Sequence, residues 1–294
     1  MIKHIVLPGG GPNFAILYGA IKQLNMSNFW KIDDIESIHG VSCGSLVALL
    51  VLLTKIGLDW DDIDKYIINR PWEKVYTLNP EMFLMAYKKK GIIDLNHFCT
   101  GVEPFFRAVD ISIDITLLEF YNKTKIFFHI IATNFTDMII CDLNHISFPD
   151  LKLITAIQMS SAIPPLIQPV FYNNKYYADG GMLANNPIKQ CLEIAKNETD
   201  ILGFKVEYLD PIYGSLNEES TIIEYLSQVL IKLAGRSDQD FINGVPKISN
   251  IIHVQFKTVI NGEFWTDFLN KPDFRKQLIS TGEEYAELFL KYKS

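Results

Sequence analysis

The sequence has no basic excess, no cysteine pattern and no long apolar run, and each absence excludes a class of protein. Its 34 acidic residues outnumber the 27 lysines and arginines, which leaves a formal net charge of -7 and argues against a nucleic-acid partner. The four cysteines form no C-x-x-C pair, so they indicate neither a zinc site nor a disulfide framework. The longest apolar run, Leu46 to Leu53, has eight residues, whereas a membrane-spanning helix needs about 20.

The amino-terminal segment also differs from a secretory signal. Its apolar residues Ile5 to Leu7 run directly into Gly9, Gly10 and Gly11, whereas a signal peptide needs a longer apolar stretch. We therefore expect a cytoplasmic protein without a signal peptide or transmembrane segment. With 294 residues, 48% apolar and 21% charged, the chain has the composition of a globular protein with a sizeable core. These features leave its oligomeric state open.

Hydrophobic periodicity predicts two successive strand-turn-helix units. Ile2 to Leu7 has the pattern of a short buried strand, and apolar residues with helical spacing follow it. Ile35 to His39 is again strand-like, and Leu46 to Leu53 is apolar enough for a buried helix. Two such units in succession imply an α/β fold, in which helices cover a mainly parallel sheet.

The rest of the chain extends this pattern without a linker that would divide it. Residues 59–123 have mainly helical patterns and resemble an insertion over the sheet. Lys125 to Thr133 and Met138 to Ile146 are rich in Ile and Phe, which favours two further strands. The pair Asn173-Asn174 favours a hairpin turn. We predict a single domain over residues 1–294, with a helical insertion around 59–123.

One turn has the form of a nucleophile elbow. Gly40-Val41-Ser42-Cys43-Gly44 matches G-x-S-x-G, in which the glycines permit a strained turn that raises the serine hydroxyl above the end of the sheet. The alternative is an ordinary turn with Ser42 as a helix cap. Cys43 is a competing nucleophile by its chemistry, but an elbow centred on it would need glycine at positions 41 and 45. The motif therefore favours Ser42 and leaves Cys43 to supply a backbone N–H to an oxyanion hole.

A second glycine-rich turn, Gly9-Gly10-Gly11, follows the first predicted strand. Residues without a Cβ let backbone N–H groups point at a phosphate or a developing oxyanion beside a helix. A dinucleotide site would need glycine at position 14, where Phe14 stands, and the sequence has no G-x-x-x-x-G-K-[ST] phosphate loop. Nucleotide binding is therefore disfavoured, and the remaining alternative is a tight turn without a ligand.

As a nucleophile, Ser42 would need a base to take its proton, and the sequence offers histidines and one aspartate as candidates. His97, His129, His145 and His253 have no motif around them, and we interpret each as structural. Asp179-Gly180-Gly181 is the better candidate, because an acid at the exit of a hairpin, followed by two glycines, can be presented at a crowded site. By itself this tripeptide is also a common turn signal.

Taken together and in this order, the three glycine-containing motifs resemble those of the patatin-like phospholipases. The resemblance covers about residues 3–210 and includes four further segments, Thr116-Leu117-Leu118-Glu119, Ala132-Thr133-Asn134, Met159 to Pro164 and Asn185-Asn186-Pro187. It implies a three-layer α/β/α fold and a serine hydrolase of phospholipid esters that needs no metal or other cofactor. Transient contact with a membrane surface would accompany such a substrate.

The resemblance also implies roles for individual residues. Ser42 would attack the ester carbonyl and Asp179 would take its proton as general base. The backbone amides of Gly9, Gly10, Gly11 and Cys43 would hold the oxyanion, with Gly40, Gly44, Gly180 and Gly181 as the elbow and loop glycines.

One departure from the family pattern leaves alternatives open. The family commonly has G-G-G-x-[RK]-G, whereas this chain continues with Pro12, Asn13 and Phe14. The missing positive charge argues against strong affinity for anionic head groups, and the altered loop at Asn13 and Phe14 is the best argument for a catalytically silent lipid-binding protein. The alternative among enzymes is a serine esterase or thioesterase for acyl groups outside phospholipids. The presence of both Ser42 and Asp179 argues against the silent protein.

The segment Glu81 to Tyr87, followed by Lys88-Lys89-Lys90, permits two interpretations. It could be a membrane-docking surface, with apolar residues at the interface and lysines facing anionic lipid. It could also be a core-facing helix whose final lysines complement the helix dipole before a Gly91 cap. We favour the core-facing helix, because a polybasic membrane signal needs about 4–8 charges.

Overall fold

A computed structural model describes residues 1–76, 80–208, 248–256 and 262–293, together with isolated positions between 218 and 232. Eight strands within these ranges form one sheet. The strands are β1 (His4–Leu7), β2 (Ser37–Val41), β3 (Phe127–Asn134), β4 (Ile139–Leu143), β5 (Val170–Tyr172), β6 (Lys175–Asp179), β7 (Ile201–Tyr208) and β8 (Ile251–Phe256). The helices are α1 (Phe14–Met26), α2 (Cys43–Thr54), α3 (Trp60–Asn69), α4 (Trp72–Val75), α5 (Pro80–Lys89), α6 (Leu95–Ala108), α7 (Leu117–Thr124), α8 (Leu153–Ser161), α9 (Gly181–Ala184), α10 (Ile188–Leu192), α11 (Gly262–Asn270) and α12 (Pro272–Lys293).

The sheet is parallel through its centre and antiparallel at one side. Its strand order is β5-β6-β3-β2-β1-β7-β8, with β4 paired to β3 outside this path. The pairs of β3 with β2, β2 with β1, β1 with β7 and β7 with β8 are all parallel. The pairs of β3 with β4, β3 with β6 and β5 with β6 are antiparallel. The predicted mainly parallel sheet is therefore confirmed.

Alternating side chains of the strands are buried on both faces of the sheet. In β1, Ile5 and Leu7 belong to the main core, which also contains buried residues of α1, α2 and α8. Val6 points to the other face and packs in a smaller cluster with Ile188 and Cys191 of α10. Successive side chains of a strand point to opposite faces, so helices cover both faces of the sheet. This is the predicted three-layer α/β/α arrangement.

Strand β3 brings two distant parts of the chain end to end. On one edge, its residues 130–134 pair with β4. Because a strand has only two edges, β2 and β6 must share the other one. Val41, the last residue of β2, pairs with Ile131, and Asp179, the last residue of β6, pairs with the next residue, Ala132. The two strands run in opposite directions along β3, so their carboxyl ends meet.

Several local predictions are confirmed. Thr116 and Glu119 form a capping box at the start of α7. Asn173 and Asn174 both have positive φ in the turn between β5 and β6. The region around 59–123 contains α3 to α7, whereas the prediction of one domain over the whole chain stays a prediction. Among the described residues, no helix combines the length and apolarity required to span a bilayer.

The described side chains of α5 (Pro80–Lys89) do not support its core-facing interpretation. Leu84, Met85 and Tyr87 are exposed, as are the lysines that follow them. The predicted Gly91 cap is wrong, because Lys90 takes the left-handed conformation with φ 64°. Gly91 lies instead against the backbone of Gln168. The sequence pattern misled because an exposed apolar helix face has the same spacing as a buried one.

Candidate active site

Ser42 occupies a strained turn between β2 and α2. Its backbone has φ 52° and ψ −126°, which a non-glycine residue adopts only where the surrounding structure enforces it. The turn is tight because α2 starts directly against the end of β1. A Cβ at Gly44 would collide with the carbonyl oxygens of Leu7 and Pro8. The G-x-S-x-G sequence therefore forms the predicted strand-turn-helix elbow.

The elbow brings Ser42 into contact with Asp179. The Ser42 hydroxyl donates a hydrogen bond of 2.7 Å to Oδ2 of Asp179. The other carboxylate oxygen, Oδ1, accepts the backbone N–H of Gly181 at 2.7 Å. Only glycine fits at position 180, because a Cβ there would collide with the carbonyl oxygen of Ile131. The Asp-Gly-Gly sequence thus lets the acid approach the end of β2.

Burial changes the chemistry of Asp179. The residue is 5% exposed, and burial raises the pKa of its carboxyl to about 6, although the hydrogen bonds from Ser42 and the Gly181 amide oppose the rise. A carboxylate with a raised pKa is a stronger base than an ordinary aspartate, and it is still ionised at neutral pH. The Asp179 carboxylate can therefore accept the proton of the Ser42 hydroxyl without a histidine between the two side chains.

The glycine loop lies beside this pair, but one of its three amides is occupied. The Gly9 N–H donates to the backbone oxygen of Asn185 at 2.9 Å, so the prediction that Gly9 supplies an oxyanion donor is corrected. Asn13 is fully buried, and its side-chain amide and backbone N–H both donate to the Gly10 oxygen, at 2.9 and 3.0 Å. Carbonyl and N–H point in opposite directions across a trans peptide. Asn13 therefore directs the Gly11 N–H away from itself.

Cys43 has a buried and unreactive thiol. Burial raises the pKa of this thiol to about 12, against the effect of hydrogen bonds from the backbone amides of Gly10, Gly11 and Gly44. A protonated thiol is a poor nucleophile. A Cβ at Gly9 would lie 3.3 Å from the Cβ of Ser42, so the glycine loop lies against the elbow. Cys43 therefore does not compete with Ser42, and its own backbone N–H lies at the start of α2.

The sequence interpretation missed Ser160, which holds the two halves of the site together. Its fully buried hydroxyl accepts the backbone N–H of Ser42 at 2.9 Å and donates to the Ile131 oxygen at 2.6 Å. Its carbonyl oxygen accepts the Gly180 N–H at 3.1 Å. The only signal in the sequence was the family-like segment 159–164, which does not distinguish Ser160 from Ser161.

Asn185 was also quoted only as part of a family-like segment. Its backbone oxygen accepts the Gly9 N–H, and its side-chain amide donates to the Gly9 oxygen at 3.4 Å. Asn185 follows α9, the short helix that begins at Gly181. It therefore connects the loop after Asp179 to the glycine loop after β1.

All six histidines lie in the described part of the chain, and none is hydrogen-bonded to Ser42 or Asp179. Five are hydrogen-bonded elsewhere and the sixth stacks on an aromatic ring: His4 and His39 with Ser37, His97 with Asp94, His129 with Asp142, His253 with Glu207, and His145 on Tyr121. Their predicted structural role agrees with these contacts.

Two viral proteins are similar in sequence to this chain. The chain is 26% identical over 188 residues to the protein named "Probable lipid hydrolase 463L" of Invertebrate iridescent virus 6, and the match covers 63% of this chain and 62% of that protein. It is 25% identical over 187 residues to an uncharacterized protein of Acanthamoeba polyphaga mimivirus, covering 64% of this chain and 60% of that protein. The chain thus spans about three fifths of the length of these two viral relatives.

A solved structure shows the same fold. The crystal structure of VipD from Legionella pneumophila aligns with a TM-score of 0.54 and 17% identity, covering 99% of this chain and 67% of that one. The family model described as patatin-like phospholipase matches residues 5–192, which contain the Ser42–Asp179 pair, the glycine loop and Ser160. This match spans more than half of the sequence, and the chain belongs to the patatin-like phospholipase family.

Proposed function

We propose that this protein is a serine hydrolase that cleaves carboxylic esters of phospholipids, in the manner of a phospholipase A. The hydrogen bond of 2.7 Å between the Ser42 hydroxyl and the Asp179 carboxylate is the observation that carries this proposal. Family membership and the lipid hydrolase name of one viral relative support a lipid substrate. The strained elbow supports a nucleophilic role for Ser42, because its glycines let α2 start against the end of β1 while Ser42 is held at φ 52°.

In the proposed reaction, Asp179 is the only proton carrier. As the Ser42 oxygen attacks the ester carbonyl carbon, its proton passes to Oδ2 of Asp179. Asp179 returns this proton to the departing alcohol oxygen, so the lysophospholipid leaves and the acyl group stays on Ser42. A water molecule then gives a proton to Asp179 and attacks the acyl-serine. The fatty acid is released and Ser42 regains its proton.

The developing oxyanion would be held by backbone donors. Gly10, Gly11 and Cys43 are the candidates, because the glycine loop lies beside Ser42 and Cys43 begins α2. The amino-terminal end of α2 adds the positive end of a helix dipole. This arrangement would stabilise the tetrahedral intermediate without the basic residue that the family commonly has after the glycines.

Hydrolysis assays with three substrates would test the proposal. We expect purified protein to release fatty acid from phospholipid vesicles, and a fluorophosphonate probe to label wild type but not Ser42→Ala. Faster turnover of short-chain esters or thioesters than of phospholipids would instead support an esterase or thioesterase. Vesicle binding without hydrolysis of any substrate or labelling by the probe would indicate a silent lipid-binding protein and contradict the proposal.

A further inference from the structure

Large apolar side chains are exposed on three neighbouring segments beside the active site. On α5, Leu84 is 78% and Tyr87 is 92% exposed. Phe171 on β5 is 58% exposed, and Phe135, which directly follows β3, is 50% exposed. Contiguous exposed apolar surface of this kind marks an interaction site rather than ordinary surface. We refer to these four residues together with Lys88 and Lys90 as the α5 surface.

Tyr176 joins the three segments into one continuous surface. The Lys90 ammonium group lies 5.4 Å from the centre of the Tyr176 ring. The Phe171 and Tyr176 rings are 4.8 Å apart. The backbone N–H of Phe135 donates to the backbone oxygen of Tyr176 at 2.8 Å. The end of α5, the hairpin of β5 and β6, and the residue after β3 are therefore adjacent in space although distant in sequence.

The charge of the α5 surface is opposite to that of the whole protein. Lys88, Lys89 and Lys90 are exposed, although the chain carries a formal net charge of -7. Lys89 lies 3.5 Å from the Asp94 carboxylate. Within the described ranges, no carboxylate lies within ion-pair distance of Lys88 or Lys90. Three lysines are fewer than the roughly 4–8 of a purely polybasic signal, but here exposed apolar side chains lie beside them, and apolar insertion together with basic charge is the combination that binds an anionic membrane interface.

A second copy of this chain fits the surface less well. In a symmetric dimer the same patch would face itself, so Lys88 and Lys90 would approach the same lysines of the partner. An anionic bilayer offers both acyl chains for Leu84 and Tyr87 and negative charge for the lysines. Charge complementarity therefore favours lipid over self-association.

The position of this surface relative to Ser42 gives it a function. Tyr176 precedes Asp179 by three residues on β6, a distance of about 10 Å along an extended strand. Phe135 follows β3 at the same end of the sheet at which Ser42 follows β2, because these strands are parallel. A bilayer in contact with this surface would lie next to the Ser42–Asp179 pair.

We propose that the α5 surface docks on anionic phospholipid bilayers and thereby brings the Ser42–Asp179 pair to its lipid substrate. Its role in supplying substrate rests on the proposed function, whereas docking itself does not require hydrolysis. Binding can therefore be measured with the full chain carrying Ser42→Ala, which leaves the vesicles intact.

Removal of the two protruding apolar side chains is the first test. Leu84→Ser combined with Tyr87→Ser should weaken co-sedimentation with vesicles of phosphatidylserine and phosphatidylcholine at least about tenfold. The matched control is Leu288→Ser with Tyr292→Ser on α12, where the same residue types are 50% and 87% exposed. This control should bind as the parent does. Equal binding by both double variants would overturn the proposal.

Removal of charge is the second test. Lys88→Gln with Lys90→Gln should weaken binding to the same vesicles by about thirtyfold, as expected for two lysines near an anionic surface. Lys276→Gln with Lys293→Gln, which removes exposed lysines from α12, should have little effect. Binding of the parent should fall with added salt and be weak on pure phosphatidylcholine. Equal binding to both vesicle types would contradict a charge-guided docking surface.

Activity assays separate this inference from the proposed function. With Ser42 present, the Leu84/Tyr87 double variant should hydrolyse a soluble short-chain ester like wild type but hydrolyse vesicles at least tenfold more slowly. If wild type hydrolyses neither substrate, the proposed function fails while the binding result still decides the docking. If the protein is a dimer in size-exclusion chromatography and the Leu84/Tyr87 variant is a monomer with unchanged vesicle binding, the α5 surface is a self-association site and the inference is wrong.

Discussion

Two aspartates of this protein, the buried Asp179 and the half-buried Asp142, make short side-chain hydrogen bonds with different partners in different places. Asp179 accepts the Ser42 hydroxyl at 2.7 Å at the carboxyl end of β2. Asp142 lies on β4 and is hydrogen-bonded to Nδ1 of His129 at 2.6 Å. A serine triad would place a serine, a histidine and an acid in one chain of hydrogen bonds. In this protein Ser42 is hydrogen-bonded to Asp179, whereas His129 is hydrogen-bonded to Asp142.

The sheet keeps the two pairs apart. The His129 and His39 rings stack 4.2 Å apart on neighbouring strands. His39 precedes Ser42 by three residues, about 10 Å along the strand. Burial also lowers the pKa of His39 well below its usual range, so this ring stays neutral. The comparison supports the proposal that Asp179 acts on Ser42 directly, with its raised pKa supplying the base strength that a histidine would supply in a triad.

Exchanging each aspartate for asparagine gives the largest expected difference between the two pairs. Asp179→Asn can keep hydrogen bonds to Ser42 and Gly181 but cannot accept the serine proton, so kcat on a soluble ester should fall roughly 10³- to 10⁴-fold. Asp142→Asn keeps its contact with His129 and should retain near-wild-type kcat. Circular dichroism of both variants provides the folding control. Comparable losses in the two variants would remove the distinction between the pairs.

The glycine loop next to Ser42 sharpens the comparison, because the Asp142 pair has no such loop. Gly11 has φ +50° and a Cβ there would meet nothing within 4 Å, so Gly11→Ala should fold but project a methyl group beside the proposed oxyanion donors. We expect kcat to fall about 10²- to 10³-fold, the loss typical of an impaired oxyanion hole. Gly57→Ala is the matched control, since Gly57 also has positive φ and open space around it. Full activity of Gly11→Ala would exclude the loop from the mechanism.

Substitution of two adjacent serines, Ser160 and Ser161, tests whether Ser160 positions the Ser42–Asp179 pair. Ser160→Ala removes the acceptor for the Ser42 N–H, so kcat should fall roughly 10- to 100-fold with little change in KM, because the nucleophile is displaced. Ser161 is also buried, but its hydroxyl has no hydrogen-bond partner among the residues that the structure describes. Ser161→Ala should therefore leave both kinetic constants unchanged. Equal effects of the two substitutions would assign Ser160 a general packing role.

The smallest expected effect is on the pH dependence of the unfolding free energy, to which Asp179 contributes. A folded-state pKa of about 6 exceeds the ordinary value of 3.8, so the native protein holds a proton that the unfolded chain has lost between these pH values. The unfolding free energy should therefore fall as pH rises from 4 through 6. Asp179→Asn removes this dependence and should gain roughly 2.5 kcal/mol relative to wild type between pH 4 and pH 8. Denaturant unfolding at both pH values measures the difference, and a constant offset between the two proteins would contradict the raised pKa.

The motifs that carry the chemistry could be predicted from the sequence because they need particular residues at fixed spacing. Gly40 to Gly44 forms an elbow wherever a strand precedes it and a helix follows, and the hairpin with Asn173 and Asn174 depends on local backbone preferences. The sequence pattern offered Asp179 as the candidate base for Ser42, but only the resemblance implied that the two residues act as a pair. Their contact depends on β2 and β6 meeting on one edge of β3, which is a long-range pairing.

Contacts and exposure that depend on distant parts of the chain could not be predicted from local sequence patterns. The hydroxyl of Ser160 is distinguished from that of Ser161 only by the direction in which the end of α8 presents it. The loss of Gly9 as a donor depends on Asn185, which lies 176 residues away in the sequence. The exposure of α5 could not be read from periodicity, because spacing identifies an apolar face but not what lies against it.

The rate at which a fluorophosphonate labels Ser42 tests the central claim, that Asp179 activates the serine without a histidine. It should be measured across pH for wild type, His129→Gln and Asp179→Asn, with circular dichroism as the folding control. The account predicts that wild type and His129→Gln are labelled at the same rate, with a rise near pH 6 set by the Asp179 carboxyl, and that Asp179→Asn is labelled slowly at every pH. A folded His129→Gln variant labelled as slowly as Asp179→Asn would contradict it.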